Sequence, residues 1–193
     1  NSREIICGYA EILKSSLLDS FKKFKYLDTN LNNIINLKKP FIENAILNSC
    51  NLKKNVVQRD EDEKNIRKIL NLGHTFAHAF ESCLGFSSKL NHGEAVIIGI
   101  TIALEFSYQR RLIKNKTYKF IKKHLERIPL KKKFTSIFSK KDVSKIISFM
   151  ESDKKNKTKK INIILIKDFG KIKTNYQFDQ NTLKQFLISE LKK

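Results

Sequence analysis

Three of the chain's four histidines fall within one short stretch, and imidazole is the side chain best suited to hold a metal or move a proton near neutral pH. His74 and His78 lie four residues apart in Asn71-Leu-Gly-His74-Thr-Phe-Ala-His78-Ala-Phe-Glu81, so on a helix they share a face about one turn apart. His92 follows in Asn91-His-Gly-Glu-Ala95 and opens the next apolar run. Imidazoles at two helix starts, with acidic residues nearby, suit zinc or a similar divalent ion bound through nitrogen and carboxylate, with one position open to substrate. The pattern is not that of a zinc protease, because Thr75 stands where His-Glu-x-x-His needs its glutamate. Spacing alone leaves open which of the three histidines are ligands.

The elements that must position these groups are mostly helices. Ile5, Ile6, Tyr9, Ile12, Leu13 and Leu17 recur at helical spacing over residues 3–19, where Glu11 and Lys14 lie on one side. Gly8 inside that helix costs roughly 1 kcal/mol relative to alanine, which predicts close approach by another group. Short helices with a turn near Asp28-Thr29-Asn30 cover 21–36, and Pro40 suits the first turn of the next helix. Arg59-Asp-Glu-Asp-Glu-Lys64 reads as a solvated polar linker into the histidine segment. A long apolar helix runs from His92 to about Arg111, and an amphipathic one over about 114–127 ends before Pro129. His124, among Lys122, Lys123 and Arg127, reads as a surface residue. A basic connector (130–141) and a short helix (142–150) follow. Ile161–Ile166 and Lys171–Tyr176 flank Asp168-Phe-Gly170 as a hairpin, and a helix over about 180–192 closes the chain. The expected architecture is mainly α with one small β-hairpin, without internal repeats.

With 193 residues, 40% of them hydrophobic, the chain is long enough to bury a core. No apolar run approaches the about 18 residues of a membrane span. Cys7, Cys50 and Cys83 are far apart and odd in number, which argues against a disulfide framework and for a reducing cytoplasm. The net charge of +20 is carried mainly by lysine spread along the chain, without aromatic residues interleaved in the basic runs. It reads as solvated faces and as attraction for an anionic substrate rather than as a nucleic-acid-binding module. Asn1-Ser-Arg-Glu has no initiator Met, basic n-region or apolar h-region, and reads as the middle of a longer protein.

Taken together, Gly8-Tyr-Ala-Glu11-Ile-Leu-Lys14, Lys53, Arg67, Asn71 through Glu81, His92-Gly-Glu-Ala-Val96 and Asp153-Lys-Lys155 resemble, in order, the motifs of 3-dehydroquinate synthase, a sugar phosphate cyclase. The resemblance covers essentially all of 1–193 but only the helical C-terminal half of that enzyme. It implies one multi-helical metal- and substrate-binding domain of the dehydroquinate synthase-like fold, with the NAD-binding half upstream of Asn1. It implies a cytoplasmic lyase of the shikimate pathway that converts 3-deoxy-D-arabino-heptulosonate 7-phosphate to 3-dehydroquinate and phosphate, uses NAD catalytically and carries Zn²⁺ or Co²⁺. A homodimer is ordinary for the family, and this half alone is expected to be inactive.

The resemblance also assigns roles. It implies Glu11, His74 and His92 as metal ligands, and Lys14, Lys53, Arg67, Asn71 and one lysine of Asp153-Lys154-Lys155, Lys154 before Lys155, as substrate-contacting residues; His78 is implied as a group that supports the ligands or touches substrate near the phosphate. The cations suit a carboxylate and a phosphate. Two departures stand out: Ala77 replaces the family's usual glycine, and Asn91 lengthens the loop before His92. Iron-type alcohol and glycerol dehydrogenases share a similar metal site, but place a histidine four residues after the first ligand, where this chain has Ser15. Sibling cyclases share the ligands and stay open.

Overall fold

A computed structural model describes residues 2–152 and 160–193. Residues 92–109 form the helix on which the others converge. Ala95-Val-Ile-Ile-Gly-Ile and the following Ile102-Ala-Leu-Glu-Phe are apolar on almost every face, and such a helix must be covered on all sides. Its neighbours are the N-terminal helix, the histidine helix, the 115–127 helix and the first strand.

The helices in chain order are α1 (Ser2–Asp19), α2 (Phe21–Thr29), α3 (Leu31–Ile35), α4 (Phe41–Arg59), α5 (His74–Cys83) and α6 (His92–Gln109). They continue as α7 (Asn115–Arg127), α8 (Phe134–Ile137), α9 (Val143–Glu151) and α10 (Gln180–Glu190). A 3₁₀ turn at Ile66–Asn71 precedes α5. The architecture is therefore the expected one, mainly helical with one hairpin, and helix ends fall within a few residues of those the apolar period gives.

Strands β1 (Ile161–Asp168) and β2 (Lys171–Phe178) pair antiparallel, with Ile161 opposite Phe178 and Ile163 opposite Tyr176. The register shifts between Ile163 and Leu165, and Leu165 and Ile166 are both buried. The Ile166 N–H donates to the Ser107 hydroxyl at 3.0 Å, so α6 supplies a partner for a strand group beside the irregularity. At the hairpin turn Gly170 takes φ +66°, and a Cβ there would stand 2.3 Å from the carbonyl oxygen of Asp19. Its N–H donates to Leu17 O at 2.9 Å, seating the turn on the C-terminal end of α1.

Three sequence expectations change. His124 is fully buried, not a surface residue. Its Nδ1 lies 2.8 Å from Asp28 Oδ1 and its Nε2 2.6 Å from the Tyr9 hydroxyl, with Phe24 edge-on at 5.0 Å. Tyr118, Ile121 and Leu125 turn inward at helical spacing, and His124 shares their side because Tyr9 and Asp28 satisfy both ring nitrogens. The 59–64 segment is not merely solvated, because the buried Asp60 accepts from the N–H groups of Lys64, Asn65 and Arg67 at 2.8–2.9 Å and folds the segment back. Finally, a Cβ on Gly8 would meet nothing within 4 Å, so no packing inside this chain calls for glycine there. The basic connector carries Phe134 and Phe138, whose rings sit 5.3 and 5.1 Å from Phe80 and anchor it to α5.

Candidate metal and substrate site

Glycines set how closely the histidine-bearing elements approach. Gly73 precedes α5 at φ +80°, a left-handed conformation that most side chains avoid. A Cβ on Gly99 of α6 would stand 2.2 Å from the Gly73 carbonyl oxygen, so this helix crosses directly over the turn before His74. Ala77 sits in the same contact fully buried, with its N–H bonded to Gly73 O, so the extra methyl is accommodated. At the second residue of α6, a Cβ on Gly93 would lie 2.3 Å from Cys7 Cα, so the start of this helix, where His92 stands, abuts the backbone of α1. Asn91 fits without disturbing this start: its N–H donates to Glu94 Oε2 at 2.9 Å, and its side-chain oxygen accepts from Arg3.

These contacts gather three imidazoles. The ring centroids of His74 and His92 are 5.4 Å apart, those of His74 and His78 5.4 Å, and those of His78 and His92 6.1 Å. Two imidazoles sharing a tetrahedral zinc have centroids about 5 Å apart, given Zn–N bonds of about 2.0–2.1 Å. The two histidines at the helix starts therefore fit one ion, although ring spacing also allows His74 with His78.

Hydrogen bonds assign the tautomers more sharply than the distances do. His74 Nδ1 lies 3.2 Å from Leu72 O; a carbonyl only accepts, so Nδ1 carries the proton and Nε2 keeps its lone pair. Burial, then the charge of Lys14, pulls the His74 pKa down to about 4, so the ring is neutral at neutral pH, as a ligand must be. His92 Nδ1 lies 3.2 and 3.1 Å from the two oxygens of Glu81, which leaves its Nε2 open in the same way. Among the described residues, His78, Glu81 and His92 form a group of potential ligands with donor atoms within 4.8 Å of one another; Glu11 and His74 lie outside that group. Because Glu81 is already bonded to His92, we regard it as a partner of a ligand rather than a competing ligand.

Glu11 and Lys14 stand together on α1, with Lys14 Nζ 2.8 Å from Glu11 Oε1. Burial works against the Glu11 charge, but the Lys14 hydrogen bond and charge, then His74 and Lys53, outweigh it and hold the carboxyl below its ordinary value. Lys14 is 4% exposed, and burial draws its ammonium below the ordinary lysine value despite the pull of Glu11. Lys53 is exposed on α4 and reaches this pair through its charge.

A cleft of about 390 Å³ opens beside His74 and His78, bounded by Asn71, Glu63, Lys68 and the hairpin residue Asn162. A larger one, about 470 Å³, lies between α6 and α7, but its lining holds no histidine, so the chemistry belongs to the smaller. Asn71 Nδ2 donates to Glu63 Oε1 at 2.5 Å, and the Arg67 guanidinium donates to the Glu61 carbonyl. The structure thus brings His74, His78 and Asn71 to one cleft, sets the Glu11–Lys14 pair in electrostatic contact with His74, and turns Arg67 toward the 60–64 loop. Lys154 lies outside the described residues. Sequence reasoning did not single out Glu81, Glu63 or the hairpin wall. Glu81 had a signal, falling three residues after His78 on the same helical face; the hairpin, far along the chain, had none.

A family model described as 3-dehydroquinate synthase C-terminal matches residues 8–156. The 3-dehydroquinate synthase of Pelagibacter ubique (strain HTCC1062) is 50% identical over 191 residues, covering 99% of this chain and 52% of that protein. That of Thermoanaerobacter sp. (strain X514) is 35% identical over 184 residues, covering 95% and 50%. The chain thus spans about half the length of the curated relatives it matches. Among solved structures, 2-deoxy-scyllo-inosose synthase complexed with carbaglucose-6-phosphate, NAD⁺ and Co²⁺ matches with TM-score 0.78 at 22% identity, over 97% of this chain and 51% of that one. The 2-epi-5-epi-valiolone synthase of Streptomyces hygroscopicus subsp. jinggangensis 5008, with NAD⁺ and Zn²⁺ bound, matches with TM-score 0.76 at 16% identity, over 98% and 51%. At those identities the two structures establish the shared fold.

Proposed function

Because this chain belongs to the 3-dehydroquinate synthase family, we propose that it is the metal- and substrate-binding half of that enzyme, turning 3-deoxy-D-arabino-heptulosonate 7-phosphate into 3-dehydroquinate and phosphate. The observation that carries the reading is the meeting of His74 and His92, each with Nε2 left open, beside the Glu11–Lys14 pair and an open cleft. Glu11, His74 and His92 are the assigned holders of Zn²⁺ or Co²⁺. When bound, the metal supplies polarisation of a substrate hydroxyl, and NAD supplies uptake and return of a hydride.

The chain's own groups bind and orient. Neutral His74 offers a lone pair without first losing a proton. Lys14, Lys53, Arg67 and Lys154 are assigned to the substrate's carboxylate and phosphate, and the Arg67 guanidinium can grip either through two parallel hydrogen bonds. Arg67 must release the Glu61 carbonyl to do so, and Asn71 must exchange Glu63 for a substrate oxygen. His78, exposed at the cleft, is assigned to the phosphate end. That phosphate can itself take the proton during elimination, so no strong protein base is required.

We assign NAD mainly to a separate nucleotide-binding half, since residues 1–193 have no glycine-rich phosphate-binding turn and the described strands form one antiparallel hairpin. The 50% identity to a 3-dehydroquinate synthase favours that product over those of the sibling cyclases. Zinc content of purified variants tests the ligand assignment. His92→Ala should abolish zinc retention, whereas His78→Ala should keep zinc and lower phosphate release once the nucleotide-binding half is supplied. Zinc that survives loss of His92 but disappears with His78 overturns the assignment.

A further inference from the structure

His92 and His74 are held by different means. The His74 ring is fixed by the backbone carbonyl of Leu72, a group no substitution removes. His92 is the first residue of α6, its side chain is 53% exposed, and its Nδ1 meets a side chain, the carboxylate of Glu81. Glu81 lies on α5 seven residues after His74, on the same face, and is 9% exposed. Both its oxygens face one ring nitrogen, at 3.2 and 3.1 Å.

We propose that Glu81 is the positioning residue of the metal centre, locking His92 as the Nδ1–H tautomer and presenting Nε2 as the donor. An ionised carboxylate can only accept, so the proton between the two groups resides on Nδ1. The same bond removes the freedom of an otherwise half-exposed side chain. Because α5 also carries His74, the carboxylate ties the orientation of one imidazole to the helix that bears the other. This inference rests on the metal reading above.

Competition between the purified full chain and a chromophoric zinc chelator reads the effect. Glu81→Ala should weaken zinc binding about 10–100-fold, the usual cost of losing such a partner. Glu81→Gln keeps the shape and an acceptor oxygen but loses the charge, and should fall between wild type and Glu81→Ala. Nitrogen–proton correlation spectra of the metal-free chain give a second readout that a purely structural role would not move. The wild-type His92 ring should show the Nδ1–H form, and Glu81→Ala should shift it toward the Nε2–H form. Equal zinc affinity in wild type, Glu81→Gln and Glu81→Ala overturns this inference and leaves the metal reading standing. A wild-type chain that takes up no zinc overturns the metal reading and this inference with it.

Discussion

His124 illustrates how one residue escapes a sequence reading. Its chain neighbours are charged, yet it is sealed between Tyr9 of α1 and Asp28 of α2, with Arg127 Nη1 on the same Asp28 oxygen at 2.8 Å. Burial, opposed by the Asp28 hydrogen bond and charge, holds the His124 pKa below 6.5. The neutral ring satisfies both neighbours, with Nδ1–H donating to Asp28 and the Tyr9 hydroxyl donating to Nε2. A depressed folded-state pKa means the unfolded chain takes up the proton first as pH falls. His124's contribution to stability is therefore complete above about 6.5 and is lost as pH drops through the folded-state value. His74, depressed to about 4, adds to the same trend. Urea unfolding at pH 7.5 and pH 5 should show lower stability at the acid end, and His124→Gln should flatten that dependence by the histidine's share. An unchanged slope in the variant would remove His124 from the account. Glu81 was legible in principle, since its spacing from His74 and His78 is visible in the sequence; its buried partnership with His92 was not.

Among the elements, the helices were legible because their apolar residues recur at 3.6-residue spacing, and the hairpin because β-branched runs flank a glycine turn. What one sequence does not display is how tightly two helices cross. The contacts of Gly99 with Gly73, and of Gly93 with Cys7, bring backbone against backbone, and glycine signals this only once the partner is known. The Asp60 loop was hidden for a related reason: a carboxylate that captures backbone N–H groups has the same one-letter signature as one in water. Gly99→Ala would place a methyl 2.2 Å from the Gly73 carbonyl oxygen, and neither the left-handed turn nor the buried helix can move cheaply. We expect a loss of about 1–3 kcal/mol, typical of overpacking, measured by urea unfolding. Zinc affinity should fall with it, because that crossing sets the His74–His92 separation. Wild-type stability in the variant would show the crossing to be looser than the geometry implies.

At the scale of the molecule, the charge of +20 bears on which partners the chain attracts rather than on its fold. A net positive charge of this size attracts anions, the sugar phosphate proposed above as substrate among them, and salt screens that attraction beyond about 8 Å at physiological ionic strength. In the complete enzyme, KM for the sugar phosphate should therefore rise with added salt. Double-stranded DNA should show no tight binding at about 0.15 M salt; tight binding with a steep salt slope would revive a nucleic-acid role. No described helix is long and apolar enough to cross a membrane. The family was legible because its motifs stand in one order along the chain, and the family model matches over residues 8–156. Charge composition alone could not have distinguished an anionic metabolite from an anionic polymer.

The seat of Gly170 on the carbonyls of Leu17 and Asp19 has a consequence for how the chain is made. A ribosome working from the N-terminus releases Glu11, His74 and His92, the whole proposed ligand set, long before it reaches the hairpin. The Leu17 carbonyl cannot receive the Gly170 N–H until residue 170 emerges, and contacts between such distant parts of a sequence are slow to form. Ligand assembly and closure of the fold are thus separated in time during synthesis. A nascent chain stalled between α6 and the hairpin would carry every proposed metal donor on a scaffold not yet sealed.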